Sequence, residues 1–126
     1  MARSAFQYAM LRVVPRVERG ECLNAGVVLF ARTAEFLGVR VELDVARLLC
    51  LAPGTDPAPI AAQLAGLVRV GEGDPSAGPI ARLSQSQRFH WLVAPASTAV
   101  QPSDVHTGLC DDPALTLDHL FERLVR

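Results

Sequence analysis

The run CLNAGVVLFA, Cys22 to Ala31, constrains the fold more than any other stretch of this chain. It is almost wholly apolar and ends in a β-branched and aromatic cluster, yet it falls far short of the ~20 residues that cross a bilayer. A segment of this kind is a strand that is covered on both faces or sits at the centre of a sheet. Asn24 and Gly26 interrupt its start, which predicts a bulge or a close backbone approach there.

The neighbouring segments supply its partners. AFQYAMLRVVPRV, Ala5 to Val17, is rich in aromatic and β-branched residues and reads as a long strand. Pro15 removes a ladder donor, so that strand ends near it or lies at an edge. ERGE follows as the turn, with Gly20 free to take a positive φ. FLGVRVEL, Phe36 to Leu43, alternates Leu37, Val39, Val41 and Leu43 against Gly38, Arg40 and Glu42, a strand with one wet face. Three strands with short connections predict an antiparallel meander.

Helix signals come next. Asp44 caps VARLLCL, which Pro53 and Gly54 stop. Asp56 with Pro57 opens a second helix, whose Ile60, Leu64, Leu67 and Val68 form one apolar stripe. GEGDPSAGP, Gly71 to Pro79, reads as a mobile surface loop, with one or two helical turns after it in IARLSQSQ. RFHWLVA sets Phe89, Trp91 and Val93 against Arg88, His90 and Leu92, a strand pattern. TAVQ and VHTGL are short strand candidates. Asp112 and Pro113 start a last helix with Leu117, Leu120, Phe121 and Leu124 on its apolar stripe. The expected fold is a single α+β domain over residues 1–126: an antiparallel sheet of about five strands with helices packed on one face, in the order β-β-β-α-α-β-β-α.

Composition narrows the function. A chain of 126 residues buries roughly two-thirds of its extended surface on folding, so a core without metals or disulfides is feasible. MARSAFQYAM lacks the apolar core and cleavage signature of a signal peptide, and no run is long enough to span a membrane, so a cytoplasmic location is expected. The balance of 12 basic and 13 acidic residues argues against a nucleic-acid partner, which needs a positive field. All the basic residues are arginine, so lysine nucleophiles, Schiff bases and a P-loop lysine are excluded. Cys22, Cys50 and Cys110 show no CxxC spacing, which leaves no zinc ribbon or disulfide framework; Cys22 and Cys50 read as small buried hydrophobes.

Candidate sites are few. Ser103, Asp104 and His106, or Cys110, His106 and Asp111, could be drawn as nucleophile, base and orienter. They lie too close in sequence for a triad, there is no GxSxG elbow, and Ser103 and Asp104 after Pro102 are ordinary turn residues. Nothing in the spacing of His90, His106 and Cys110 favours zinc, and His119 lies off the apolar stripe. No catalytic set, metal site or cofactor is therefore assigned. Asp111 and Asp112 read as helix-start residues rather than paired acids. The first hairpin is more informative: Arg12, Arg16 and Arg19, with Glu18 and Glu21 among them, can form a surface whose arginine forks recognise carboxylate or phosphate. Arg88 joins this patch if its strand neighbours the first. Asn24, if buried, needs hydrogen-bond partners, and the turn residues are the nearest.

The blocks YAMLRVVPRVERGECLNAGVVLF and RFHWLVAPASTAVQPSDVHTGLCDDPALTLDHLFERLV resemble the bacterial domain of unknown function 3037. The likeness runs from about Phe6 to the end, except between Gly71 and about Gln87. The positions matching the family's polar pattern are Arg12, Arg19, Gly20, Glu21, Asn24, Gly26, Arg88, Trp91, Pro102, His106, Gly108 and Asp112; cysteine is not part of that pattern. The resemblance implies a small bacterial protein without an established activity, often encoded beside a HipA-like kinase. Two functions follow as expectations. One is a non-enzymatic interaction or regulatory module, partnering a HipA-like kinase or a second copy of itself, through Arg12, Arg16, Arg19, Glu21, Asn24, Arg88 and His106. The other is a small enzyme or anion-binding domain in which Arg12, Arg88 and His106 converge on a phosphate or carboxylate with Glu21 as base.

Overall fold

The computed structural model describes residues 3–126. Three strands open the chain: β1 (Ser4–Val13), β2 (Leu23–Ala31) and β3 (Phe36–Val41). Helices α1 (Val45–Leu51), α2 (Pro57–Glu72) and α3 (Gln85–Leu92) follow, then strands β4 (Val100–Pro102) and β5 (His106–Cys110), and helix α4 (Pro113–Leu124) ends the fold. All strand pairs are antiparallel, in the order β3-β2-β1-β4, with β5 also on β1. The α+β class and five-stranded antiparallel sheet are those expected from the sequence.

β1 therefore has two partners along one side. Its first half pairs with β5, from Ser4↔Cys110 to Tyr8↔His106, and its second half with β4, from Leu11↔Pro102 to Val13↔Val100. Ser103 sits at the break between them. Its N–H donates to the Met10 carbonyl (2.8 Å), its Oγ accepts from the Met10 N–H (2.8 Å), and its hydroxyl donates to the Asp104 carbonyl (2.9 Å). A side chain thus fills a gap in the backbone ladder. Ser103→Ala leaves the Met10 N–H without its acceptor, and a loss of about 1–3 kcal/mol is expected in urea unfolding; an unchanged midpoint would show that water replaces the hydroxyl at no cost.

The interruption at Asn24 and Gly26 is a bulge. Leu11 faces Gly26 and Arg12 faces Asn24, so Ala25 is the extra residue on β2. It shifts the side-chain parity, placing Leu23 and Ala25 in the same core as Val28 and Phe30. The backbone is crowded at this point: a Cβ on Gly26 would lie 2.9 Å from the Arg40 carbonyl oxygen and 2.9 Å from Val41.

The sheet carries a core on each face. Helices α1, α2 and α3 set Leu48, Ile60, Leu64, Phe89 and Leu92 against Leu11, Val13, Val28 and Phe30. On the other face α4 sets Leu117, Phe121 and Val125 against Phe6, Val27, Leu29 and Ala31. The expected single helical layer holds for the first three helices, and α4 adds the opposite one. Burial of both faces of β2 requires it, because no other element remains to cover Val27 and Leu29. The face of β3 expected to be wet is accordingly occupied: a Cβ on Gly38 would meet Leu117 at 2.7 Å, and the Arg40 guanidinium lies 4.3 Å from the Phe121 ring centroid.

Three further expectations are corrected. RFHWLVA is not a strand; Arg88 to Leu92 belong to α3. Ser84 and Gln87 form a reciprocal capping box at its start, and the buried pair Phe89 and Leu92 is spaced by one helical turn. Gly71 to Pro79 is no plain loop: α2 runs on to Glu72, and two 3-10 turns, Pro75–Ala77 and Pro79–Arg82, follow. Asp74 caps the first of these, and the N–H of Ser76 holds the Asp74 carboxyl below its ordinary pKa. Cys22 and Cys50 are exposed, and among the three cysteines only Cys110 is buried. Cys22 precedes the bulged strand, and Cys50 lies on the outer side of a helix whose one buried residue is Leu48.

Candidate functional site

Alternation along β1 decides which polar residues meet. Leu11 and Val13 point into the core beneath α1–α3, so Tyr8, Met10 and Arg12 point to the α4 face. Arg12 lies directly across from Asn24 on β2 and Gln101 on β4. His106 lies across from Tyr8, with ring centroids 5.2 Å apart. These residues form a shallow strip beside α4. Asn24 is not tied to the turn as expected: its Nδ2 donates to the Leu124 carbonyl at 2.9 Å and anchors the end of α4. Arg12 lies four positions along β1 from the Tyr8–His106 pair, about 13 Å along the strand.

Arg88 does not join this strip. It stands on α3, across the sheet. Its Nη1 donates to the carbonyls of Val70 (3.0 Å) and Gly71 (2.8 Å), and its Nε to that of Leu83 (3.0 Å). The guanidinium is thus spent on the last turn of α2 and on the segment leading into α3. Glu21 is likewise engaged: it pairs with Arg19 two residues away, and that hydrogen bond holds the Glu21 carboxyl below its ordinary pKa and the Arg19 guanidinium above its own. The structure therefore groups Arg12 with Asn24 and, farther along the same face, His106. It sets Arg16, Arg19 and Glu21 at the hairpin tip, and Arg88 on the opposite face.

The tip is an exposed knob. A 3-10 turn, Val17–Arg19, ends at Gly20, whose φ of 70° is the left-handed conformation expected of it. Arg16, Val17, Glu18 and Arg19 all face solvent, and Val17 is 56% exposed. An exposed apolar side chain thus sits among charged neighbours in the chain.

The helical form of residues 85–92 creates a second surface. Trp91, 45% exposed on α3, lines an apolar depression of about 270 Å³ with Leu11, Leu67, Leu92, Val100 and Pro102. Gln63 and Thr98 give it a polar rim, joined by a 3.2 Å hydrogen bond. The Ser84-x-x-Gln87 capping box was the signal in the sequence that could have placed Trp91 on a helix.

The groups considered for nucleophilic chemistry are dispersed. Ser103 is committed to the ladder, Cys110 is buried, and Asp112 caps α4 through the N–H groups of Ala114 (3.0 Å) and Leu115 (3.4 Å). Asp111 pairs with Arg3 at 3.7 Å. Among the described residues there is no cluster of three or more histidine, cysteine, aspartate or glutamate side chains fit to hold a metal, and no buried side-chain polar atom lacks a partner. No helix among them is long and apolar enough to cross a membrane.

Fold and surface together define a small α+β domain with a sheet covered on both faces and charged residues on an exposed hairpin tip. Residues 8–125 match the family model described as protein of unknown function, DUF3037, and the chain belongs to that family. No curated protein and no solved structure matches it.

Proposed function

We propose that this protein is a non-enzymatic interaction module that docks a protein partner on the tip of its first hairpin, with a HipA-like kinase as the partner. The observation that carries this reading is the tip itself: Val17 is 56% exposed on a turn whose other residues include Arg16, Glu18, Arg19 and Glu21. An apolar anchor inside a charged rim is the anatomy of a docking surface, because the anchor supplies affinity and the rim orientation. The polar residues shared by the two sequence blocks point the same way. Arg88, Asn24 and Asp112 bond to backbone groups, which is a structural use. An anion site built from Arg12, Arg88, His106 and Glu21 has less support, since the sheet separates Arg88 from Arg12 and His106, and Glu21 is paired with Arg19 at the hairpin tip.

Co-expression with a HipA-like kinase followed by size exclusion tests the proposal. The wild-type proteins are expected to co-elute, and the double substitution Val17→Asp, Arg16→Glu to weaken capture at least tenfold while leaving the unfolding midpoint within experimental error. Separate wild-type peaks would remove the kinase as partner. Undiminished capture by the variant would move the interface off the hairpin. The same column reports self-association, for which Leu109 on the β5 edge, 64% exposed, is the natural seam.

A further inference from the structure

Cys22 and Cys50 stand 28 positions apart in the chain, yet both are exposed and both line one surface depression of about 410 Å³. Leu23, Ala46 and Leu51 form its apolar walls and Arg47 its charged rim. The packing beneath explains the meeting. Leu23, next to Cys22, and Leu48, two residues before Cys50, are buried in the same core, which brings the start of β2 against α1. Arg47 and Cys50 are one helical turn apart and share a face of α1. We propose that Cys22 and Cys50 are a reactive dithiol which a hydroperoxide closes to a disulfide.

The chemistry needs two exposed thiols and one oxidant. One thiolate attacks the hydroperoxide, ROOH, to give a sulfenic acid and release the alcohol or water ROH. The second thiol then attacks the sulfenic sulfur, forming the S–S bond and releasing water. The two cysteines together lose two electrons and two protons, and the peroxide O–O bond is reduced. Closing the bond needs Cα atoms about 4.4–6.8 Å apart. Residues 20–22 carry no regular structure, so Cys22 stands just outside the β1–β2 ladder, which ends at Leu23. Cys110, buried beneath α4, is an internal control.

The experiment is intact-mass analysis and peptide mapping of the full-length protein, at low micromolar concentration, treated with hydrogen peroxide. The expected product is a monomer lighter by about 2 Da, returned to the starting mass by a reductant, with Cys22 and Cys50 in one cross-linked peptide. Cys22→Ser or Cys50→Ser should abolish that product, and Cys110→Ser should keep it. Wild-type protein that gains oxygen at either cysteine, or forms intermolecular dimers, without the Cys22–Cys50 link would overturn the proposal.

Discussion

Replacing Phe121 with alanine is expected to lower the unfolding free energy by roughly 3–5 kcal/mol, a large part of the 5–15 kcal/mol that a domain of this kind possesses. Phe121 is 1% exposed at the centre of the core between α4 and the sheet. It also organises the charges above it: the Arg40 and Arg126 guanidinium groups lie 4.3 and 5.3 Å from its ring centroid. Arg40 pairs with Asp118 at 2.8 Å, and Arg126 with Glu42 at 3.0 Å and Glu122 at 2.7 Å. The hydrogen bonds from Arg126 to Glu42 and then Glu122 hold its guanidinium above its ordinary pKa. The pairs are about half exposed, so the ring rather than the ion pairs supplies most of the stability. Urea unfolding of Phe121→Ala measures it. A loss under 1 kcal/mol would mean that α4 does not hold its face of the sheet, and high salt should change the wild-type midpoint much less than the substitution does.

Replacing Arg88 with methionine is expected to cost about 1–3 kcal/mol, because the carbonyls of Gly71 and Leu83 lose their side-chain donor, while that of Val70 keeps the N–H of Gly73. The last carbonyls of a helix have no partner within it, and here one fork from α3 serves those of α2. Lysine should recover only a small part, since one ammonium group cannot reproduce the planar fork. Thermal unfolding and partner capture, measured on the same variant, separate two roles for this arginine. A structural clamp lowers the midpoint by several degrees. A docking residue would leave the midpoint unchanged and abolish capture, and that result would reject the clamp.

Much of the fold was legible in the order of residues. The meander followed from alternation in FLGVRVEL and from the apolar run after Cys22, the bulge from Asn24 and Gly26, and three of the four helix starts from Asp44, Asp56 and Asp112. The third helix was not recognised, because over so short a span Phe89, Trp91 and Val93 fit a period of two as well as Phe89 and Leu92 fit a helical turn. The deciding signal lay upstream, in the Ser84–Gln87 capping box. The wet face assigned to β3 conflicted with the double burial that the Cys22–Ala31 run itself demanded, and α4 resolves the conflict in favour of burial.

The candidate site was legible only in part. The tip at Arg16, Arg19 and Glu21 is where the turn signal put it, since a turn is made by residues a few positions apart. The destinations of Asn24 and Arg88 were not: Asn24 reaches Leu124, and Arg88 reaches a helix terminus that the sequence does not mark as its neighbour. The exposure of Cys22 and Cys50 and their place in one depression were equally hidden.

The sequence by itself determined the strands of the first meander, three helix caps, the Gly20 turn and the bulge, all of which depend on contacts within a few residues or on strict periodicity. The tertiary structure alone decided that α4 takes the far face, that β4 and β5 share β1, that Arg88 clamps α2, and that two cysteines face one depression. Those outcomes rest on contacts between distant segments, and burial of apolar area, which drives them, carries no direction in the chain.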